Sequence, residues 1–314
     1  MALPDILKNR LRMPVVAAPM FLLSDPDMVM ACCKAGILGT FPALNQRTTE
    51  GVSDWLQTLS TALGEQDAPF GINLIVHRSN PRLEADLDCV TRHRVPIVIT
   101  SLGAVRSVVD AVHAYGGIVF HDVTTVHHAR KAAEAGADGL VLVSAGAGGH
   151  AGTLNPFAFL WEVRQFFEGT ILLAGAVSTG EHIAAACLLG ADLVYMGTRF
   201  IATRECSATA PYKDMIVTAQ SADIVYTPAV SGIPANFMRQ SLERAKIEWD
   251  DTSQSHGVQL KDMASEARAW KTIWSAGHGA TCVHDIPAIP DLVARLGREY
   301  ENALHHTQPW PAPS

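Results

Sequence analysis

Eight short apolar, β-branched runs, each followed by helix-compatible sequence, constrain this chain more than any other feature. They are "PVVAAP" from Pro14, "GILGTFPA" from Gly36, "FGINLIV" (Phe70–Val76) and "VPIVITS" (Val95–Ser101), then "GIVFHDV" from Gly117, "GLVLVSA" from Gly139, "TILLAGA" from Thr170 and "DLVYMGT" from Asp192. Between them lie Ala-rich stretches such as "TVHHARKAAEAGAD" and "GEHIAAACLLGAD". Strands apolar on both faces and alternating with helices form a parallel sheet buried by those helices. Eight such units in roughly 200 residues predict an α/β fold, a (β/α)8 TIM barrel. An open doubly wound sheet is the rival, but no GxGxxG follows the first strand. "AGAD" (Ala135–Asp138) and "LGAD" (Leu189–Asp192) read as helix ends with a left-handed glycine.

After Phe200 the rhythm stops. From about Cys206 to Trp270 the sequence is polar, helix-compatible and without evident strand runs. The expected organisation is a barrel from 1–205 and 271–314, with a helical insertion at 206–270 covering its top. A chain of 314 residues, 48% hydrophobic, can bury such a core. The net charge of −7 and the absence of a Lys/Arg run argue against nucleic acid. No apolar stretch is long enough to span a membrane, and no signal-peptide pattern opens the chain. The six scattered cysteines fit reduced thiols and a cytoplasmic location. They and the 13 histidines lack metal-ligand spacing, so no metal is expected.

In a (β/α)8 barrel the active site lies at the C-terminal ends of the strands. Those positions include Ala18, Pro19 and Met20, Asn73, Ser101, His121 and Asp122, Gly175 and Ala176, and Gly197 and Thr198. The sixth strand runs into "AGAGGHAGT" (Ala145–Thr153), a bare loop around one imidazole, His150. A tight turn would account for the glycines alone. On the catalytic face they also let backbone N–H groups approach a flat or anionic ligand. "LAGAVSTGEH" and "YMGTRF" follow strands seven and eight, where barrels often bind phosphate. Ser178 and Thr179 would serve there as N-caps, as phosphate contacts, or as both. The chain lacks a P-loop lysine motif, and no lysine stands at an assigned strand end. A phosphate pocket beside one histidine thus points to a phosphate-bearing cofactor that carries the chemistry.

These segments resemble the nitronate monooxygenase family (2-nitropropane dioxygenases), whose wider group includes FMN-dependent NADH:quinone reductases and FMN-type enoyl-ACP reductases. "AAPM" (Ala17–Met20), "FGINL", "AGAGGHAGT", "LAGAVSTG", "YMGTRFIATREC", "SGIPANF" (Ser231–Phe237) and "WSAGHG" (Trp274–Gly279) occur in the family's order and cover almost the whole chain. The resemblance implies non-covalent FMN against Ala18, Pro19 and Met20, with Asn73 and His121 beside it. Gly148 and Gly149 would line it, and Gly175, Ala176, Gly197 and Thr198 would hold its phosphate. His150 would be the catalytic residue, with Ser231 and His278 beside it in contact with substrate. The implied reaction is oxidation of an alkyl nitronate with O2 to a carbonyl compound and nitrite. A reductase of quinones or enoyl thioesters driven by NAD(P)H, or a non-catalytic flavin-binding barrel, would use the same scaffold. The unperturbed imidazole pKa of about 6.5 suits a base. Departures are Ala176 where two glycines are usual, His278 where Gln is common, and Asp122 where some quinone-reductase relatives carry Lys. His121 is either a cofactor contact or a hydrogen-bonded strand end, and His77 a solvated loop residue. Apolar outer helices are compatible with a homodimer.

Overall fold

The computed structural model describes residues 3–249 and 272–305. Each of the eight runs contains a strand: β1 (Val15–Ala17), β2 (Leu38–Pro42), β3 (Phe70–Ile75), β4 (Ile97–Ser101), β5 (Ile118–Val123), β6 (Gly139–Val143), β8 (Thr170–Ala174) and β9 (Leu193–Met196). β7 (Gly149–His150) lies outside the barrel. The eight pair in parallel and in sequence order, and β9 returns to β1 through Val15↔Val194 and Ala17↔Met196, closing the barrel. The fold is a (β/α)8 TIM barrel.

Alternation along the strands divides the core in two. Val16, Leu38, Ile97, Ile99, Phe120, Val141, Leu172 and Leu193 fill the interior, and Leu7 from the N-terminal turn packs with them. Their neighbours, such as Leu140, Leu142, Ile171 and Val194, face the helices. Each fully buried side chain of this size is worth about 1.5–3 kcal/mol. The helices are set by local chemistry. Thr125 accepts from the amide of His128 and Asn155 from that of Phe157, capping their helices. Gly136 and Gly190 sit at φ +92° and +106° behind two helices, in the left-handed conformation expected of them.

The closing helix Ile289–His305 locks onto the helix Gly180–Leu188, where the Gly180 amide donates to Glu299 Oε2 at 2.8 Å. A methyl group on Gly180 would lie 2.3 Å from the Tyr300 nitrogen, so the two helices meet backbone to backbone.

The segment after β9 departs from expectation. It contains helices Ala210–Thr218 and Arg239–Arg244, but also β10 (Ile224–Thr227) and β11 (Ala235–Met238). These two are antiparallel, and β11 adds β7 on its other edge. A pair of four-residue strands joined through "PAVSGIP" gives too little periodicity to read from sequence. The rest of the expected helical insertion, 250–271, lies outside the described residues.

Candidate active site

The site forms at the C-terminal mouth of the barrel. Deeper inward-facing residues such as Ile97, Val141 and Leu172 are fully buried. The uppermost ones, Ser101, Asp122, Val143 and Tyr195, are partly exposed and line a hollow. Asn73, at 6% exposure, belongs to this layer. Its Nδ2 donates to the Ile99 carbonyl at 3.2 Å and to Ser101 Oγ at 2.7 Å. Both amide hydrogens are thereby used, and its oxygen is the group left to offer. Ser101 in turn donates to Asp122 Oδ2 at 2.6 Å. Burial pushes the Asp122 carboxyl up to about 6.

One side of the mouth is made of main chain. Gly175 and Ala176, at φ +125° and +56°, bend the chain after β8. Among the described residues, the N–H groups of Ala176, Val177, Gly197 and Thr198 have no acceptor. Thr179 caps the next helix by accepting from His182, whereas Ser178 Oγ is buried with no partner among the described residues. Thr198 Oγ1 accepts from the Gly277 amide at 2.9 Å. Bare α-carbons let these segments meet. A methyl on Gly148 would stand 2.8 Å from the Gly277 nitrogen and 3.2 Å from Thr198 Oγ1, and one on Gly279 only 2.4 Å from Ser178 Oγ. Gly197 faces Ala18 and Met20, with 3.7 and 3.6 Å left for a methyl. Unpaired N–H groups, an orphaned buried hydroxyl and a floor without side chains fit a phosphate and the flat ring beside it.

The other side is made of side chains. The loop 145–153 is strapped at several points: Asn236 Nδ2 donates to the Ala147 carbonyl at 2.6 Å, Tyr226 Oη to the Ala151 carbonyl at 3.0 Å, and the His278 amide to the Gly146 carbonyl at 2.9 Å. β7 pairs His150 with Ala235, and His150 Nε2 lies 3.5 Å from Ser231 Oγ. Burial lowers the His150 imidazole to about 4, so it is neutral at pH 7 rather than half-titrated near its ordinary value. The loop is bare for two reasons. Gly148 and Gly152 are close-packed: a methyl on Gly152 would meet the Thr124 carbonyl oxygen at 2.7 Å. Gly149, at φ +67°, has open space at its α-carbon beside the histidine.

One expected contact falls elsewhere. His121 pairs with Leu140 on the helix-facing side of β5, while Phe120 and Asp122 face inward. Its Nδ1 lies 2.6 Å from Thr100 Oγ1, and burial lowers it to about 4. It is the hydrogen-bonded strand residue, not a cofactor contact, because adjacent strand residues point to opposite faces. His278 is drawn to the main-chain side: a methyl on Gly146 would stand 3.5 Å from its Nδ1 and 3.4 Å from Ala176 Cβ. Ser231, for its part, lies against His150. His77 is a half-buried loop residue bonded to Ser79, away from the barrel strands. Sequence reading gave no role to Tyr195, whose buried hydroxyl has no partner, or to Asn236. His121 and Asp122 both stand at the end of the fifth strand in the sequence reading, but a strand apolar on both faces does not reveal which of the two looks inward.

Residues 81–299 match the nitronate monooxygenase family. A nitronate monooxygenase from Paraburkholderia phytofirmans is 26% identical over 93% of each chain. A (3aS,4S,5R,7aS)-5-hydroxy-7a-methyl-1-oxo-octahydro-1H-indene-4-carboxyl-CoA dehydrogenase from Rhodococcus jostii is 28% identical over 73% of this chain and 63% of its own length. Among solved structures, the nitroalkane oxidase of Streptomyces ansochromogenes superposes with a TM-score of 0.81 at 25% identity, covering 97% of this chain and all of the other. The family is one of FMN-dependent flavoenzymes, and the main-chain cradle fits that cofactor's phosphate. The chain belongs to the nitronate monooxygenase family and is a flavin-dependent oxidoreductase.

Proposed function

We propose that this protein oxidises alkyl nitronates with O2, giving a carbonyl compound and nitrite. The observation that carries the reading is a neutral imidazole, His150, fixed on β7 beside Gly149 and the hollow. FMN supplies the electron acceptor. The main-chain N–H groups of Ala176, Val177, Gly197 and Thr198, with Ser178, would hold its phosphate. Ala18, Met20, Gly148 and Asn73 would lie against the rest. A neutral His150 donates a hydrogen bond from one ring nitrogen to the nitro oxygens. On a neutral nitroalkane its unprotonated nitrogen removes the α-proton. Ser231 holds the ring from its far side. β10, β11 and the adjoining helices form the cover that excludes water.

A reductase of quinones or thioesters is the second reading, favoured by the similarity to the Rhodococcus jostii CoA dehydrogenase. The test is anaerobic stopped-flow absorbance of the holoenzyme mixed with propionate 3-nitronate, NADH or NADPH. Flavin bleaching by the nitronate alone supports the monooxygenase. Bleaching by a nucleotide alone supports the reductase and sinks the first reading.

A further inference from the structure

The hydrogen-bond chain Asn73–Ser101–Asp122 crosses three neighbouring strands at the floor of the hollow. It has a direction. Asn73 gives both its hydrogens away, Ser101 accepts one and passes its own to Asp122 Oδ2, and the chain ends there. An acceptor must stand at residue 122 for Ser101 to point this way. Without it the serine hydroxyl could turn, and of the two acceptors that hold the Asn73 nitrogen inward only the longer bond, to the Ile99 carbonyl, would be left. The other carboxyl oxygen, Oδ1, is buried and has no partner among the described residues, and neither has the Tyr195 hydroxyl from β9. Burial raises the Tyr195 pKa well above its ordinary value, and the nearby Asp122 carboxylate raises it further.

The inward residues around them carry no cation: Asn73 from β3, Ser101 from β4, Val141 and Val143 from β6, Ala174 from β8 and Tyr195 from β9. Among these inward residues Tyr195 is the titratable group beside Asp122, and burial keeps it neutral. His121 adjoins Asp122 in sequence but faces the helices. Among the described residues a carboxylate here has no counter-ion. Its charge would be felt by whatever lies above it, since the surroundings are poorly polarisable.

We propose that Asp122 is a positioning residue of the flavin site: through Ser101 it orients Asn73, and its own ionisation sets how readily a flavin held in this hollow would accept electrons. This rests on the flavin reading and adds a residue to it. An ionised Asp122 opposes the arrival of negative charge on the ring, and a protonated one does not. Burial favours the protonated form, so the change falls near neutral pH rather than in the usual carboxylate range. Asn at 122 keeps an acceptor for Ser101 and removes the charge. Ala removes both. Ala at 101 breaks the relay and leaves the charge.

The experiment is FMN titration, then anaerobic redox titration of the holoenzyme from about pH 5 to 9, on the wild type, Asp122→Asn, Asp122→Ala and Ser101→Ala. Asp122→Asn should bind FMN like the wild type. Its midpoint potential should match the wild type at acid pH and lie above it at alkaline pH, with the extra pH dependence lost. Asp122→Ala and Ser101→Ala should both bind FMN more weakly, by about tenfold for one misdirected hydrogen bond. Ser101→Ala should keep the pH dependence. A merely structural Asp122 would weaken binding in every variant and leave the potential's pH profile alone. Coincident profiles for wild type and Asp122→Asn overturn the inference while FMN binding stands. Failure of the wild type to bind FMN overturns the flavin reading and the inference with it.

Discussion

The two sides of the barrel mouth are built from different materials. The glycine side is main chain: Gly148, Gly175, Gly197, Gly277 and Gly279 bring four separated segments within touching distance. The histidine side depends on side chains: Ser231 meets His150, and Asn236 and Tyr226, from β11 and β10, tie down the loop that carries it by donating to the Ala147 and Ala151 carbonyls. The first should be sensitive to added atoms and indifferent to charge. The second should be sensitive to chemical identity and tolerant of small changes in volume. Recognition common to a group of flavoenzymes can reside in the first, and the choice of reaction in the second.

The sharpest way to break this contrast is His150→Asn. It should lower kcat/KM for a neutral nitroalkane by about 10²- to 10⁴-fold, the range for loss of a general base. FMN content, read from the visible spectrum, should stay unchanged. An apoprotein would mean that the histidine side also builds the cofactor site.

Acid should separate His150 and His121 from the glycine cradle. Each imidazole is lowered from 6.5 to about 4 by burial. The folded state therefore binds fewer protons than the unfolded chain between those values. The stability they confer is complete above pH 6.5 and is lost as pH falls toward 4. For well-buried His121 the loss is on the order of 3 kcal/mol. Urea titrations from pH 7 to 4 check it. His121→Gln should flatten the curve, and an unaltered slope would remove the structural account of that residue.

Gly277→Ala tests the other side. Its methyl group would lie 2.3 Å from the Gly146 carbonyl oxygen and 2.7 Å from the Gly148 nitrogen. Neither backbone can yield, so we expect a stability loss of about 1–3 kcal/mol, the usual cost of overpacking. FMN affinity should fall with it. Normal FMN binding with an unchanged melting temperature would show that this packing is loose.

The smallest effect is a gain. Ala176 occupies φ +56°, which costs a residue with a Cβ about 1–2 kcal/mol. Ala176→Gly should raise stability by about 0.5–1 kcal/mol, less than the strain because glycine also loosens the unfolded chain. Thermal unfolding would register it as a rise of a few degrees at most.

Much of this was legible beforehand, and the reasons differ from place to place. The eight barrel strands were visible because strands buried on both faces leave unbroken apolar runs. Gly136 and Gly190 were visible because a helix end asks for positive φ. β10 and β11 were hidden because four residues beside a Pro/Gly loop carry no usable period. His121 and Asp122 are adjacent in a strand apolar on both faces, so nothing local said which one looked inward. Position 176 was noted as a place where glycine is usual, but only its φ shows why.

By itself, then, the sequence determined the architecture and the chemistry available to the site. Strand and helix periodicity, turn glycines and a lone histidine are local or compositional signals, and they are written residue by residue. The tertiary structure decided which side of each strand faces the hollow, which glycines are packed and which are open, and that His150 is neutral. Those outcomes depend on barrel closure and on contacts between residues about a hundred positions apart, such as Gly148 with Gly277 and His150 with Ser231. Burial, and with it proton affinity, comes into being only when those distant segments meet.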